Sequence, residues 1–346
     1  MLITLADYER AAAESLDVGV QAYYFGGAAD EVTLGDNEAA WRRLAIHPRM
    51  LVGVSQRDMG VKLLGRERKH PVIVAPTALH GLADPAEGEI ATARAAAATE
   101  SIVCISTFAT KGVRSVAEAV PEASRWFQLY VFNDRGVSRE LVARAEESGY
   151  DVLVVTVDLP VRGARERELR MPISSELAHA PATMTPAEFK ALIDAELRWS
   201  DIERFAAETK LPVVVKGILT PQDARLAAAS GARGVVVSNH GGRQLDSTVS
   251  GADALPAVVD AVGEQIDVIV DGGIRRGTDV LKALALGARA VMVGRPVLWG
   301  LAVAGSDGAK HVLEILLSEL DAALALAGAP RATELDRSFV GPAPWA

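Results

Sequence analysis

The sequence predicts an α/β protein of the (β/α)8, or TIM-barrel, class, with a helical N-terminal segment and a short lid insertion after the fourth strand. Three observations carry this. Eight short β-rich apolar runs recur along the chain, a helix-like stretch follows each, and no Gly-x-Gly-x-x-Gly unit marks an open dinucleotide-binding sheet. A doubly wound open sheet is the alternative that pattern alone leaves standing.

The runs are Val72–Pro76, Ile102–Thr107, Trp126–Tyr130, Val152–Asp158, Val213–Gly217, Gly234–Asn239, Val268–Gly272 and Ala290–Gly294. Most are continuous instead of alternating, as strands buried on both faces should be. The stretches between them, such as Pro85–Thr99 and Thr278–Leu286, carry an Ala-rich apolar stripe. Gly149, Gly231 and Gly287 each close a helix-like stretch and lead into a strand, the place where a left-handed residue stops a helix. Thr220-Pro221 reads as an N-cap followed by a first-turn proline.

One domain is expected, with a helical segment at 1–65, the barrel at 66–330 and a tail at 331–346. The chain between the fourth and fifth runs is much longer than between the others. An insertion at about 162–200, polar and broken by Pro172, Pro181 and Pro186, accounts for the excess. In a barrel it leaves from the C-terminal mouth, where it can act as a lid.

A net charge of −9, from 36 basic and 45 acidic residues, argues against a nucleic-acid or anionic-membrane partner. No apolar stretch approaches the roughly 18 residues of a bilayer span. Acids at Asp7, Glu9, Glu14 and Asp17 break any signal-peptide pattern, so a soluble cytoplasmic protein is expected. The single cysteine, Cys104, lies in an apolar run where core packing is its expected role.

The active site of a barrel forms where its strands end, so the residues just after each run matter most. They are far more polar than the strands: Ser106-Thr107, Gln128-Leu129-Tyr130, Thr156-Val157-Asp158, Lys216-Gly217, Ser238-Asn239-His240 and Asp271-Gly272-Gly273. Polar groups are expensive to bury without a use. After the last two strands, Asp271 to Arg275 and Gly294-Arg295 suit a phosphate, with backbone N–H groups and an arginine fork to hold it; tight turns alone would also use such glycines. Of six histidines, His240 follows a strand, is flanked by glycines and is the candidate base, with Asp158 to hold its tautomer. His80 is the second candidate, and His47, before Pro48, reads as structural. Lys216 is either a Schiff-base nucleophile or a fixed charge beside a reduced cofactor ring. No metal-ligand spacing occurs, and none is expected to be bound.

The stretch Ser238-Asn239-His240-Gly241-Gly242-Arg243-Gln244-Leu245-Asp246 closely resembles the signature of the FMN-dependent L-2-hydroxy-acid oxidases and dehydrogenases, a family that includes glycolate oxidase, lactate oxidase and mandelate dehydrogenase. The likeness continues through Trp126–Tyr130, Thr156–Asp158, Leu211–Gly217, Asp271–Gly277 and Gly294-Arg295-Pro296, and spans nearly the whole chain. It implies FMN as cofactor and oxidation of a lactate-, glycolate- or mandelate-like acid to the 2-oxo acid. His240 would take the hydroxyl proton while hydride passes to flavin N5, a carbanion route with the same base remaining open. Asp158 would support the imidazolium. Arg243 and Tyr23 would hold the carboxylate, with Arg165 as a second cation at the mouth, and Tyr130 would bond the substrate hydroxyl or carbonyl.

The same resemblance resolves Lys216 toward electrostatics at flavin N1. Ser106, Gln128 and Thr156 would bond the isoalloxazine edge, with Ser238 among the cofactor contacts. Asp271, Gly273, Arg275, Gly294 and Arg295 would hold ribityl and phosphate, and Pro76, Thr77 and Ala78 would pack on the ring. Oxygen, giving hydrogen peroxide, is the expected acceptor, with a quinone or carrier protein, or oxidative decarboxylation, as alternatives. A homo-oligomer, tetramer or octamer, is implied. The chain departs from the family pattern in lacking Asn-x-Phe after Arg165, in its shorter insertion, and in Phe108, where glycolate oxidase has tryptophan.

Overall fold

Eight parallel strands close on themselves in the computed structural model, which describes residues 2–173, 175–180 and 184–345. They are β1 (Val72–Val74), β2 (Ile102–Ser106), β3 (Ser124–Leu129), β4 (Val152–Thr156), β5 (Val213–Ile218), β6 (Gly234–Val237), β7 (Asp267–Asp271) and β8 (Ala290–Val293). Neighbours pair in chain order, and β8 returns to β1 through Val291 with Val72 and Val293 with Val74. That last pairing makes the sheet a barrel and removes the open-sheet alternative. The punctuation read from the sequence holds as well. Thr220 Oγ1 accepts from Asp223 N at 3.1 Å with Pro221 in the first turn, and Gly149, Gly231 and Gly287 all have positive φ.

Side chains alternate along each strand between the helix layer and the barrel interior. The interior cluster includes Ile73, Cys104, Trp126, Val154, Val214, Val236 and Ile269, all buried. Cys104 is therefore a core residue, and burial pushes its thiol well above the ordinary range. Two residues further along six of these strands stand Ser106, Gln128, Thr156, Lys216, Ser238 and Asp271. The inward face of the barrel thus changes from apolar to polar in one step of the pleat. The step coincides with the C-terminal mouth.

The N-terminal segment is helical only as far as Arg42, in α1 (Leu5–Ser15), α2 (Val18–Phe25) and α3 (Val32–Arg42). The helical expectation to residue 65 is corrected beyond that point. Leu44–Ile46 is extended and pairs antiparallel with Val340–Pro342, so the tail closes back on the front of the chain. His47 precedes Pro48, which disfavours helix there. A hairpin of Val61–Leu63 with Arg66–Arg68 straddles the boundary placed at 65/66. Its Leu63 packs into the barrel interior, and Leu64 N donates to Asp267 Oδ2 at 2.5 Å, at the entry of β7.

The insertion holds two short helices, Glu166–Arg170 and Pro186–Ala191, the second begun by a Thr185–Glu188 capping box. The span expected at 162–200 ends inside the helix Trp199–Glu208, which belongs to the regular β/α layer. Ser174 and residues 181–183, including Pro181, lie outside the described residues. Among the described residues no helix is long and apolar enough to cross a membrane.

Residue Trp41 ties α3 to the loop after β7. It is fully buried, its Nε1–H donates to Gly272 O at 2.8 Å, and its own carbonyl accepts from Lys282 Nζ at 2.7 Å. Trp41→Phe keeps most of the packing and strands the Gly272 carbonyl. We expect a loss of about 1–3 kcal/mol in urea unfolding, the range for a buried polar group left unpaired. A midpoint equal to wild type would show that the helix is held by packing alone.

Candidate active site

The polar layer at the mouth opens into a cavity of about 740 Å³, lined by Tyr23, Tyr130, Lys216, His240, Arg243 and Arg295 among others. That volume lies within the range of small-molecule and cofactor sites. Pro76, Thr77, Ala78, Ser106, Arg165, Asp271, Gly273, Arg275 and Gly294 reach the same space, whereas Gln128, Thr156, Asp158 and Ser238 do not line it.

Loop geometry aims the candidate base. His240 has φ +59°, and Gly241 and Gly242 follow at +63° and +74°, so three successive residues are left-handed. Such a conformation is strained for a non-glycine residue and persists where the surroundings enforce it. Here a cross-tie does so: the Asn239 and Asn37 side chains exchange hydrogen bonds at 2.8 and 2.9 Å, and Asn239 Oδ1 also accepts from Gly242 N. A side chain at Gly242 would collide with the Leu34 backbone at 2.7 Å, which explains the glycine.

The His240 Nδ1–H donates to Asp158 Oδ1 at 2.7 Å, and Nε2 faces the Tyr130 hydroxyl at 3.3 Å. Asp158 owes its place to β5, where the register shifts between Lys216 and Ile218. A Cβ on Gly217 would lie 2.6 Å from that of Asp158, so the bulge and the glycine together admit the carboxylate. Burial favours neutral His240 and pulls it below its ordinary value; Asp158 opposes this, while Lys216 and Arg165 reinforce it. Asp158 is also buried, yet His240 and Lys216 outweigh burial and keep its carboxyl below the usual range. The resting pair is a neutral imidazole on an ionised aspartate. Nε2 therefore carries the lone pair on the cavity side, which is the form a general base needs.

Lys216 is buried, with Nζ 2.8 Å from Ser238 Oγ and 3.1 Å from Asp271 Oδ2. Burial works against its charge, but Asp271 and Asp158 prevail and hold the ammonium above its ordinary value. A lysine kept protonated cannot act as a Schiff-base nucleophile. It is a fixed positive charge.

Arginines crowd the opposite wall. Arg243 donates to the carbonyls of Tyr23 at 2.5 Å and Gly26 at 2.9 Å, lies 5.0 Å over the Tyr23 ring, and pairs with Glu168 at 2.7 Å. Arg165 donates to Arg243 O and Gln244 Oε1, and approaches Glu168 at 3.5 Å. Arg162 pairs with the same carboxylate. Burial and Arg243 bring Arg165 down to about 10, still charged at neutral pH. Glu168, the carboxylate these arginines share, lies within the polar insertion. Its only sequence signal is its position three residues after Arg165, one helical turn on.

The Arg295 guanidinium is half-buried and donates to the carbonyls of Tyr24, Gly26 and Gly241 at 2.9–3.1 Å. The bidentate fork expected from the sequence is thus largely taken up by backbone. Burial and the neighbouring Arg243 and Arg275 lower it to about 9, the mark of a cation short of negative charge. Arg275 pairs with Glu38 at 2.9 Å and lies over the Trp299 ring. His80 does not line the cavity. Both its ring nitrogens are engaged, with Thr77 at 2.6 Å and Thr92 at 2.8 Å, so it supports Thr77 from behind and is not positioned as a base. His47 packs beside Gly341, away from the mouth. Among the described residues no group of three or more His, Cys, Asp or Glu could hold a metal ion.

The sequence profile of a family described as FMN-dependent dehydrogenase matches residues 12–342. The chain is 44% identical to an L-lactate oxidase of Nostoc sp., over 98% of each chain. It is 41% identical to a mandelate oxidase of known structure, with TM-score 0.90 over 99% of both chains. An active chimera of (S)-mandelate dehydrogenase is 34% identical, with TM-score 0.93 over 99% of this chain and 100% of that one.

The tethered imidazole generates a titration test. His240 should protonate with a midpoint below its ordinary 6.5. Asp158 is the group that most favours the imidazolium, so Asp158→Asn should move the midpoint lower still. Nitrogen NMR on protein labelled at histidine reads both values. A midpoint that rises in the variant contradicts the assigned contact.

Proposed function

The chain belongs to the FMN-dependent dehydrogenase family, and we propose that it oxidises a small L-2-hydroxy acid to the 2-oxo acid with oxygen as the electron acceptor. The observation that carries the reading is the imidazole of His240, tethered through Nδ1 to Asp158 and lining a cavity walled by Arg165 and Arg243.

The residues present fit FMN. Gln128 Nε2, Thr156 Oγ1, Asp271 Oδ1 and Arg275 Nε are buried without a protein partner, and such groups are costly unless a ligand satisfies them. Ser106 Oγ and Thr107 N both donate to Gln128 Oε1, which turns the amide so that Nε2 is the atom left over. Ser106, Gln128 and Thr156 would bond the ring edge, with Ser238 behind and Pro76, Thr77 and Ala78 against its face. Lys216 would offset charge gathering on the reduced ring. Asp271, Gly273, Arg275, Gly294 and Arg295 would hold ribityl and phosphate, and a phosphate dianion would meet the charge shortage around Arg295. Bound FMN supplies the acceptor for the hydride that leaves the α-carbon.

The protein's part is to bind, orient and take the proton. Arg165, Arg243 and Tyr23 hold the substrate carboxylate, which fixes the α-carbon beside His240. Nε2 removes the hydroxyl proton, and Asp158 stabilises the imidazolium that results. The Tyr130 hydroxyl, whose pKa burial raises beyond the reach of neutral solution, stays protonated and donates to the oxygen that becomes the carbonyl. Oxygen as acceptor is supported by the oxidases among the relatives and by an insertion whose helix Glu166–Arg170 carries two acids and two bases in five residues.

Two outcomes check the reading. His240→Ala should keep its flavin and lose anaerobic reduction by a 2-hydroxy acid by at least about 10²–10⁴-fold, the usual contribution of a general base. Bleaching at a near-normal rate would remove His240 from that role. Wild-type enzyme reduced by substrate should reoxidise within seconds in air and release hydrogen peroxide. Slow reoxidation in air together with a fast reaction with a quinone analogue would replace oxygen by a carrier.

A further inference from the structure

Two cations of the lid line the cavity and are left unused by the reaction above, Arg162, which is paired with Glu168, and Lys190. Lys190, in the helix Pro186–Ala191, lines the same space as His240 and Arg243. Its Nζ lies 5.6 Å from the centre of the Phe108 ring. Phe108 in turn stacks on Tyr130 at 4.9 Å, and Tyr130 reaches His240. Lys190 therefore stands on the substrate wall, two aromatic rings away from the base. Its position is anchored: the adjacent Phe189 is fully buried, packed 4.7 Å from Phe132 and edge-on to Phe108.

Among the described residues Lys190 has no ion-pair partner. Glu168, whose charge it feels, is already held by Arg162, Arg165 and Arg243. Asp194 also lines the cavity but is taken by Arg135 at 2.5 Å, and Glu196 is exposed to solvent. Burial and the nearby Arg162 push the Lys190 ammonium down to about 8, as expected of a cation short of negative charge. Arg162, Arg165, Arg243 and Lys190 thus meet a single buried carboxylate. One substrate carboxylate leaves this wall strongly positive, and a second, further from the reacting carbon, would bring it closer to balance.

We propose that Lys190 receives a second anionic group of the substrate, so that the preferred substrates are short L-2-hydroxy dicarboxylates. The proposal rests on the reading that Arg165 and Arg243 take the carboxylate next to the reacting carbon. An aliphatic or phenyl 2-hydroxy acid would meet the aromatic wall and leave Lys190 unpaired.

The test uses the holoenzyme with L-malate and L-2-hydroxyglutarate against L-2-hydroxybutyrate and L-2-hydroxypentanoate, each pair matched in chain length. Wild type should favour the diacid by about tenfold or more in anaerobic flavin reduction, through KM more than kcat. Lys190→Met should lose most of that preference, and Lys190→Arg should restore it. Equal use of both classes by wild type, or a preference that survives in Lys190→Met, overturns the proposal. Calorimetric binding of the matching 2-oxo diacid and 2-oxo monoacid to the same proteins gives a second readout. If no 2-hydroxy acid reduces the flavin, the proposed reaction fails, and the oxo-acid affinities still decide whether Lys190 selects a second carboxylate.

Discussion

The contact between His240 Nδ1 and Asp158 is the interaction around which the mouth of the barrel is arranged. It joins the ends of β4 and β6 across the intervening β5, so the middle strand must make room. It does so by bulging at Gly217, where a side chain would occupy the place of Asp158. On the far side the imidazole reaches the carboxylate from a left-handed backbone, held down by the reciprocal amide pair of Asn239 and Asn37. That pair recruits α3, and Trp41 on the same helix ties it to the loop after β7. The N-terminal segment is therefore a brace for the loop that carries His240 and not an appendage.

Lys216 belongs to the same arrangement. It lies next in sequence to the bulged glycine and is kept charged by Asp158 together with Asp271. Removing any one of these charges would leave the others buried and uncompensated, which is far more costly than the pair is worth on its own. The mouth is a network in which each charge licenses its neighbour.

Much of this could be read in the chain, and the part that could not has a physical reason. The eight strands announce themselves because most of their residues are buried on both faces and therefore apolar. Reading each run in steps of two would also have selected Ser106, Gln128, Thr156, Lys216, Ser238 and Asp271 as the inward layer, without any resemblance to a family. The strand formed by Leu44–Ile46 with Val340–Pro342 and the burial of Glu168 are different in kind. Each depends on segments distant in sequence, and neither leaves a local period. Glu168 and Lys190 look like ordinary surface charges because the lid is polar. Only the docking of Phe189 against Phe132 and Phe108 turns that stretch into a cavity wall.

The charge pattern also bears on how the base gains strength when it is needed. In the resting protein His240 is kept neutral by burial and by the positive charges of Lys216 and Arg165. A weakly basic imidazole is a poor acceptor for the proton of an alcohol. In the proposed reaction a substrate carboxylate seated on Arg165 and Arg243 would bring negative charge to this wall. It would offset the cations that hold the proton affinity down and displace water from the cavity. Binding would thus raise the basicity of Nε2 in the complex that has a proton to give. On that reading the cations that attract the anion also suppress protonation of the free enzyme, so one set of charges would both recruit the substrate and keep the base ready for it.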